Sequence, residues 1–378
     1  MKVALVHDWL NQMGGAERVL LTLGSMYPEA PIFTSIYGPD LVDEDFREKH
    51  IRTSAMQKLP GVLTRHRWYL PLFPTVFDRM RIEGFDVVIS NASAFCKGVR
   101  TPASSMHVCY CLTPTRFVWN AAAYLARENI KPALRLAILP LLITLRRWDR
   151  VMAGRVDRFV AISKAIAARI KDRYGRDSEI IFPPVDVDSF APSTEVDDYF
   201  LVVSRLAPYK RIDLAVAACT KLGLPLKVIG SGRDSESLRS IAGPSVEFLG
   251  RLEDAQVKHH LARCKALIFP GEEDFGIVPV EAQASGRPVV AYGAGGALET
   301  VGEGRTGEFF RNPTVDSLMG VLSRFDDSRY SPREMKANAQ RFSEAVFTDR
   351  FTRFVETARS EHERSGSAVG AIASKAGG

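Results

Sequence analysis

Cysteine is scarce in this chain: 378 residues hold only five, Cys96, Cys109, Cys111, Cys219 and Cys264. Their spacing pairs none of them as metal ligands, and so few in so long a chain exclude a disulfide scaffold. Cys109 and Cys111, two residues apart, would share one face of a strand as small core residues. A reduced, cytoplasmic protein is the expectation. Long apolar runs are also missing. The longest, Leu136 to Leu145, is interrupted by Pro140 and is too short to span a bilayer. No signal pattern opens the chain, because Met1-Lys2 leads directly into the strand-like Val3-Ala4-Leu5-Val6. Internal repeats, low-complexity tracts and nucleic-acid-binding motifs are absent, so nucleic acid is not an expected partner. No carboxylate cluster reads as a metal site. The Asp-x-Asp candidate Asp186-Val187-Asp188 sits in a connecting stretch, so no metal is expected.

Charge is plentiful and unevenly placed. Residues 51–176 hold 22 Lys/Arg against 7 Asp/Glu, whereas the whole chain has 50 against 44. Within that span, Arg65-His66-Arg67-Trp68-Tyr69-Leu70-Pro71-Leu72-Phe73 interleaves cations with aromatic and aliphatic side chains. Such a surface suits an anionic membrane or a diphosphate-bearing lipid. The expectation is a protein peripheral to the inner face of a membrane.

Strand-like and helix-like segments alternate throughout, which predicts an α/β protein of parallel sheets covered by helices. In the first half, strands are expected near 2–7, 31–36, 86–90, 106–111, 158–162 and 179–182. Helices are expected near 15–25, 65–80, 116–127, 133–150 and 164–174. Pro183-Pro184 stiffens the chain before strands near 199–204, 225–230, 246–249, 266–270 and 288–291. Residues 314–325, 332–342 and 344–362 read as helices. The expected domains are 1–183 and 184–345, then a helix over 346–364 and a small, polar, disordered tail over 365–378.

The most informative stretch is Gly271-Glu272-Glu273-Asp274-Phe275-Gly276-Ile277-Val278-Pro279-Val280-Glu281-Ala282. It sets Glu273 in a glycine-containing loop and Glu281 in a short helix expected to open at Pro279, where a missing N–H costs nothing. Free N–H groups leading into a helix N-terminus suit a diphosphate, and carboxylates beside them accept hydrogen bonds from sugar hydroxyls. The bland alternative is a dipole-complementing Glu281 and a solvated Glu273. Gly14-Gly15 also lies between a strand and a helix, where backbone can approach a phosphate closely. Arg205 and Lys210 follow a strand and together could neutralise a leaving diphosphate. Gly230-Ser231-Gly232 imitates a dinucleotide fingerprint, but Ser235 holds its sixth position, which disfavours a nicotinamide cofactor.

Glu273 and Glu281, with seven residues between them and Phe275-Gly276-Ile277 inside the gap, resemble the E-x7-E motif of retaining glycosyltransferases of family 4. Ser204-Arg205-Leu206-Ala207-Pro208-Tyr209-Lys210-Arg211 is similar to that family's Arg-x4-Lys clamp. Val228-Ile229-Gly230-Ser231-Gly232, Phe248-Leu249-Gly250-Arg251-Leu252, His7-Asp8-Trp9-Leu10 and Gly14-Gly15-Ala16-Glu17-Arg18-Val19 extend the likeness over about residues 1 to 362. The resemblance implies a GT-B fold of two facing Rossmann-like domains, with a last helix that crosses back onto the first. It implies metal-independent hexosyl transfer, nearest to the bacterial mannosyltransferases of surface-polysaccharide assembly, from GDP-mannose to a glycan on a polyprenyl diphosphate. Arg205 and Lys210 would hold the diphosphate, Glu281 the ribose, and Glu273 the sugar. Gly15, Leu252, Phe275, Gly276 and Ile277 would complete the donor site. His7, Asp8 and Arg116 would lie on the acceptor side. One departure stands out: Leu112 occupies the place in Tyr110-Cys111-Leu112-Thr113-Pro114 where many such enzymes carry a histidine. Two alternatives therefore stay open, a catalytically silent nucleotide-sugar-binding subunit and another GT-B enzyme such as a nucleotide-sugar epimerase.

Overall fold

Strands that are buried on both faces must be apolar at nearly every position. Val3–His7 (β1) and Met106–Cys111 (β5) are buried throughout, as is Val87–Ala92 (β4) despite its Ser90 and Asn91. A computed structural model describes residues 1–119 and 132–376 and divides the chain into two units, Met1–Phe182 with Phe347–Gly378, and Pro183–Val346. The remaining strands of the first unit are Ile32–Thr34 (β2), Ile51–Thr53 (β3), Arg158–Ala161 (β6) and Ser178–Ile180 (β7). They form a seven-stranded sheet in the order β3-β2-β1-β4-β5-β6-β7. Every pairing is parallel.

The second unit repeats the plan. Its strands are Phe200–Val203 (β8), Leu226–Ile229 (β9), Val246–Gly250 (β10), Ala266–Phe269 (β11), Val289–Tyr292 (β12) and Gly307–Phe310 (β13). They form a parallel six-stranded sheet in the order β10-β9-β8-β11-β12-β13. Its core gathers Phe200, Val202 and Val228 from the sheet with Ile212, Val216 and Leu318 from the covering helices Ile212–Leu222 and Val315–Leu322. Parallel strands joined by helices all end at one edge of their sheet. An opening forms there where the strand order reverses, at β1/β4 in the first unit and at β8/β11 in the second.

Two strands escape the sequence reading. β3 is a three-residue edge strand, half-buried to exposed, so it carries no continuous apolar run. β13 opens on Gly307, where a Cβ would stand 2.0 Å from the carbonyl oxygen of Val289. The helix expected over 65–80 is interrupted. Val62–Arg65 is α-helical, His66–Leu72 is a 3-10 segment containing Pro71, and an α-helix resumes over Phe73–Arg79. The helix expected over 116–127 is described only as Arg116–Trp119, its remainder lying outside the described residues. The last helix runs Glu344–Ala376, into the segment where composition predicts disorder. Its Phe347 and Phe351 stack on each other and meet the Tyr110 ring edge-on at 5.6 and 5.8 Å, and Tyr110 donates its hydroxyl to the Ile181 carbonyl. These aromatic contacts belong to the first unit.

His107 in β5 shows what complete burial does to a titratable group. Its Nε2 lies 2.9 Å from Ser90 Oγ, whereas Nδ1 meets no hydrogen-bonding partner. Burial pushes its pKa down to about 4 from 6.5. The unfolded chain therefore takes up this proton first as pH falls. The stability from the neutral ring is complete above about pH 6.5 and is lost as pH falls towards 4, about 3 kcal/mol at most. Thermal melts from pH 7 to pH 4 should show a smaller drop in Tm for His107→Gln than for the unsubstituted chain. Parallel curves would assign the acid loss to other groups.

Candidate functional site

In the second unit, the residues singled out by sequence converge at the carboxyl edge of the sheet. The segment after β8 carries Arg205 and Lys210, and the segment after β11 carries Glu273. These two strands are neighbours at the reversal of strand order. Lys210 Nζ and Glu273 Oε1 form an ion pair there, with the two side chains 20% and 15% exposed. Lys210 Nζ also lies 5.2 Å from the Tyr209 ring centroid, and Arg205 donates to the Tyr209 hydroxyl at 3.2 Å. Arg205 itself is exposed. Directly after Lys210, Arg211 takes the left-handed conformation (φ 54°), unique to it among the described non-glycine residues. Its guanidinium grips the Asp213 carboxylate at 3.1 Å, which helps hold a backbone state that costs roughly 1–2 kcal/mol. The sharp turn leaves Lys210 at the mouth of the opening and sends the chain into the helix Ile212–Leu222.

Glycines let these segments approach each other. A Cβ on Gly271 would stand 2.7 Å from the Lys210 carbonyl oxygen. On Gly230 and Gly232 it would stand 1.9 and 2.0 Å from the carbonyls of Ser204 and Leu206. The imitation of a dinucleotide fingerprint thus has a packing reason: the turn after β9 lies against the Arg205 segment, with Leu206 N donating to the Ser231 carbonyl. Sequence reading missed a further support. Gly295 and Gly296, after β12, press on the backbone of Glu273 and Phe275, where added Cβ atoms would stand 2.3 and 2.2 Å away. Gly296 N also donates to the Glu273 carbonyl at 2.9 Å. Three glycines within Gly293-Ala294-Gly295-Gly296, just after a strand-like run, were the available signal.

The E-x7-E helix starts earlier than expected. It spans Ile277–Ala284 with the left-handed Gly276 (φ 97°) as its N-cap. Pro279 is therefore the third helical residue, still within the turn whose N–H groups lack partners. Glu281 is the fifth, past the first turn, and is buried. A merely dipole-complementing role fits it less well there, because that effect fades beyond the first turn. The Phe275 side chain packs edge-on against Phe342 in the interior, so backbone is what this residue offers a ligand. Ile277 is half-buried. Leu252, also half-buried, follows β10 and the left-handed Gly250 at the same edge of the sheet.

In the first unit, His7 and Asp8 end β1 at that sheet's own reversal point. Asp8 is fully buried, and its carboxylate accepts five hydrogen bonds from the segment after β4. The donors are Ser93 N, Ser93 Oγ, Ala94 N, Phe95 N and Cys96 N, at 2.6–3.0 Å. His7 is likewise buried. Its Nδ1 is 3.1 Å from the Asn91 carbonyl, and Nε2 is 3.7 Å from Glu17 in the first turn of the helix Gly15–Met26. Burial pulls its pKa down, but Glu17, Asp8 and the Asn91 carbonyl outweigh that and raise it. Gly15 is the first residue of that helix. Leu112 is buried at the end of β5, and its N–H donates to the Ala92 carbonyl.

A buried charged network, absent from the sequence reading, stands beside them. Lys97 Nζ is 2.5 Å from Asp149 Oδ1 and donates to the Ala94 carbonyl. Asp149 also accepts from Trp119 Nε1 at 2.6 Å and Tyr174 Oη at 2.7 Å, with Thr115 Oγ1 2.8 Å away. A buried ion pair persists only with its remaining hydrogen-bonding sites satisfied, as here. The network fastens the segment that carries Arg116, a half-buried residue at the start of Arg116–Trp119. Among the described residues, no group of His, Cys, Asp and Glu is arranged to hold a metal ion.

The family "Glycosyltransferase Family 4" matches residues 13–189, and "Glycosyl transferases group 1" matches residues 188–342. A GDP-mannose-dependent monoacylated alpha-(1-6)-phosphatidylinositol monomannoside mannosyltransferase of Corynebacterium glutamicum is 31% identical over 235 residues, 54% of this chain and 61% of that protein. The human Alpha-1,3/1,6-mannosyltransferase ALG2 is 24% identical over 93% of this chain and 95% of its own length. A GDP-mannose-dependent alpha-mannosyltransferase of Mycolicibacterium smegmatis is 32% identical over 42% of this chain and 46% of that protein. The chain thus spans about half to three-fifths of the two bacterial relatives. Among solved structures, Anabaena Alr3699/HepE in complex with UDP superposes with a TM-score of 0.69 at 18% identity, covering 94% of this chain and all (100%) of that one. Sucrose-phosphate synthase from Thermosynechococcus elongatus superposes at 0.70 with 16% identity, covering 95% and 100%. Two family matches that together run from residue 13 to residue 342, over two parallel Rossmann-like sheets, establish that this chain belongs to glycosyltransferase family 4 and has the GT-B fold.

Proposed function

We propose that the protein is a retaining hexosyltransferase that moves mannose from GDP-mannose to a glycan or lipid-linked acceptor in cell-surface polysaccharide synthesis. The observation that carries this reading is the Lys210–Glu273 ion pair at the strand reversal of the second unit. It sets a cation and a carboxylate side by side, just before a helix N-terminus whose first N–H groups have no partner within the helix. The names of the bacterial relatives support GDP-mannose as donor.

In the reaction, Lys210 exchanges part of its contact with Glu273 for the donor's diphosphate, and Arg205 swings in from solvent. Two fixed cations stabilise the charge that grows on the diphosphate as the glycosidic bond breaks. This is the work a divalent metal performs elsewhere, and the proposal assigns it to side chains alone. Glu281 accepts hydrogen bonds from the ribose hydroxyls. Glu273, freed in part from Lys210, and the backbone of Phe275, Gly276 and Ile277 hold the sugar ring, with Leu252 beside the nucleotide. The leaving phosphate accepts the acceptor's proton on the face it departs from, so the histidine replaced by Leu112 is dispensable. Gly15, His7 and Arg116 serve the other substrate or the diphosphate. Asp8, occupied by five hydrogen bonds, acts through the loop it fastens.

The surface of the first unit supports a membrane-peripheral location. Trp68 is 74% exposed with the Arg65 guanidinium 4.9 Å above its ring, and Leu72 is 46% exposed four residues on. Arg67 is exposed beside them. Cations flanking an exposed indole suit the headgroup region of an anionic bilayer. No helix among the described residues is long and apolar enough to cross a membrane.

Lys210→Ala and Glu281→Ala should each weaken GDP binding by about ten- to a hundredfold, since charge-assisted hydrogen bonds contribute roughly 1.5–3 kcal/mol. Calorimetry giving unchanged affinity in both variants would remove the phosphate and ribose assignments.

Transfer should persist in EDTA, and Glu273→Gln should lower turnover more than it lowers GDP affinity, because its bond to the sugar strengthens as charge develops. Firm binding of GDP-mannose with no turnover on any lipid-linked acceptor would leave a silent binding subunit instead. Loss of activity on chelation would sink the metal-free mechanism separately.

Flotation with anionic liposomes should show binding that weakens with salt and that falls in an Arg65→Glu, Arg67→Glu double variant. Screening over about 10 Å at 0.1 M salt sets that sensitivity. Absence of binding at low salt would leave these side chains as ordinary solvated charge.

A further inference from the structure

We infer that Trp9, Asn11 and His66 form a binding site for a saccharide on the first unit, beside its strand reversal. The inference rests on the reading that this unit receives the acceptor, and it adds residues with no role so far. His7 and Asp8, at the end of β1, are both buried, and Asp8 is saturated by its five hydrogen bonds. Trp9, the next residue, is half-buried and opens the loop that leads to Gly14-Gly15. Its ring centroid lies 5.3 Å from that of the half-buried His66, with the planes tilted by 34°. Phe73 supports the indole in an edge arrangement at 5.4 Å.

Asn11 fixes which nitrogen of His66 carries the proton. Asn11 Nδ2 donates to the Leu63 carbonyl at 2.7 Å, and a carbonyl only accepts, so this atom is the amide nitrogen. Its second hydrogen goes to His66 Nδ1 at 2.8 Å, which must then accept. The neutral ring therefore holds its proton on Nε2. Burial, with Arg67 adding to it, lowers the pKa of His66 and keeps the ring neutral at pH 7. Asn11 Oδ1 is left buried and unpartnered, which is rare for a polar atom. The amide is thus oriented for the histidine and for Leu63 at the expense of its own oxygen.

Two ring donors result. Among the described residues neither Trp9 Nε1 nor His66 Nε2 meets a hydrogen-bond acceptor, and neither is sealed from solvent as Asn11 Oδ1 is. Both are neutral N–H groups on rings in contact. Sugar hydroxyl oxygens accept from such donors, and the C–H edges of a hexose pack on the negative face of an indole. A base role does not fit, because Nε2 offers a hydrogen and Nδ1 is occupied by Asn11. His66 binds the acceptor and does not deprotonate it. The 3-10 winding of His66–Leu72 sets Trp68, 74% exposed, on a different face from His66. One short segment can then touch a bilayer and a sugar at once, which suits a glycan presented at a membrane.

The test is NMR on the full chain with isotope-labelled histidine, the His66 signals being identified by their loss in His66→Gln. Nitrogen shifts at pH 7 should report the Nε2–H tautomer. Asn11→Asp, whose carboxylate accepts where the amide donates, should move the proton to Nδ1. The probes are the methyl glycosides of mannose, glucose, galactose and N-acetylglucosamine, with inorganic phosphate as control. At least one glycoside should shift the His66 signal. Its affinity should fall about two- to tenfold in Trp9→Phe, read from that shift, and in His66→Phe, read by saturation transfer. Each variant removes one N–H donor and keeps an aromatic ring. Circular dichroism melts confirm folding, and if one variant fails to fold the other decides. An Nδ1–H tautomer, no shift from any glycoside, unchanged affinity in the folded variants, or an equal response to phosphate overturns the inference. GDP affinity, measured in parallel, reports on the second unit, so failure of the donor reading is seen separately.

Discussion

In a sheet whose strands are all parallel, every strand ends at the same edge, and connections leave that edge uncovered only where strand order reverses. Both units of this protein obey that constraint, and the residues of chemical interest follow from it. In the second unit the reversal separates β8 from β11, and the Lys210–Glu273 ion pair spans it. Around the pair, close backbone contacts at Gly271, Gly230, Gly232, Gly295 and Gly296 hold four loops together at distances no side chain would allow. A site built in this way is stiff.

The first unit meets the same constraint with a different solution. At its reversal, between β1 and β4, the protein supplies its own anion: the Asp8 carboxylate occupies the loop N–H groups that a ligand would otherwise take. From there, loop 93–96, Lys97 and Asp149 carry order outward to Trp119 and Tyr174. This buried polar chain adds little net stability, since desolvation of its charges offsets their attraction. Its contribution is to specify one arrangement of the loops. Glu17 and the raised pKa of His7 belong to the same economy of buried charge, in which each ionisable group keeps its state through a named neighbour.

Much of the architecture was legible along the chain. Among the described residues, ten of the thirteen strands carry a dense apolar run bounded by glycine, proline or polar residues, and β7 has a short, weaker one. The helix Lys164–Tyr174 runs from a Ser163 cap to a left-handed Gly175. The strands that escaped, β3 and β13, are short, and pairing rather than composition defines them. Pro71 lies in the 3-10 segment His66–Leu72 that interrupts the helix expected over 65–80, and its missing N–H removes one α-type hydrogen bond there. The Ile277–Ala284 helix starts two residues before Pro279, because the missing N–H of proline is tolerated at the third helical position as well as at the first.

Read along the chain, residue order sets the chemical inventory of these loops: two carboxylates eight positions apart, two cations five positions apart, and glycines between strand and helix. Such patterns are local, and their spacing follows from the period of helix and strand. Which of these groups meet is set by the packing of each unit. Lys210 and Glu273 lie 63 residues apart in the chain, and Lys97 and Asp149 lie 52 apart. Asn11 and His66 meet across 55 residues. No local pattern encodes such pairings. They arise because strand order in each sheet is chosen by the packing of helices on both faces, a property of the whole unit and not of any segment within it.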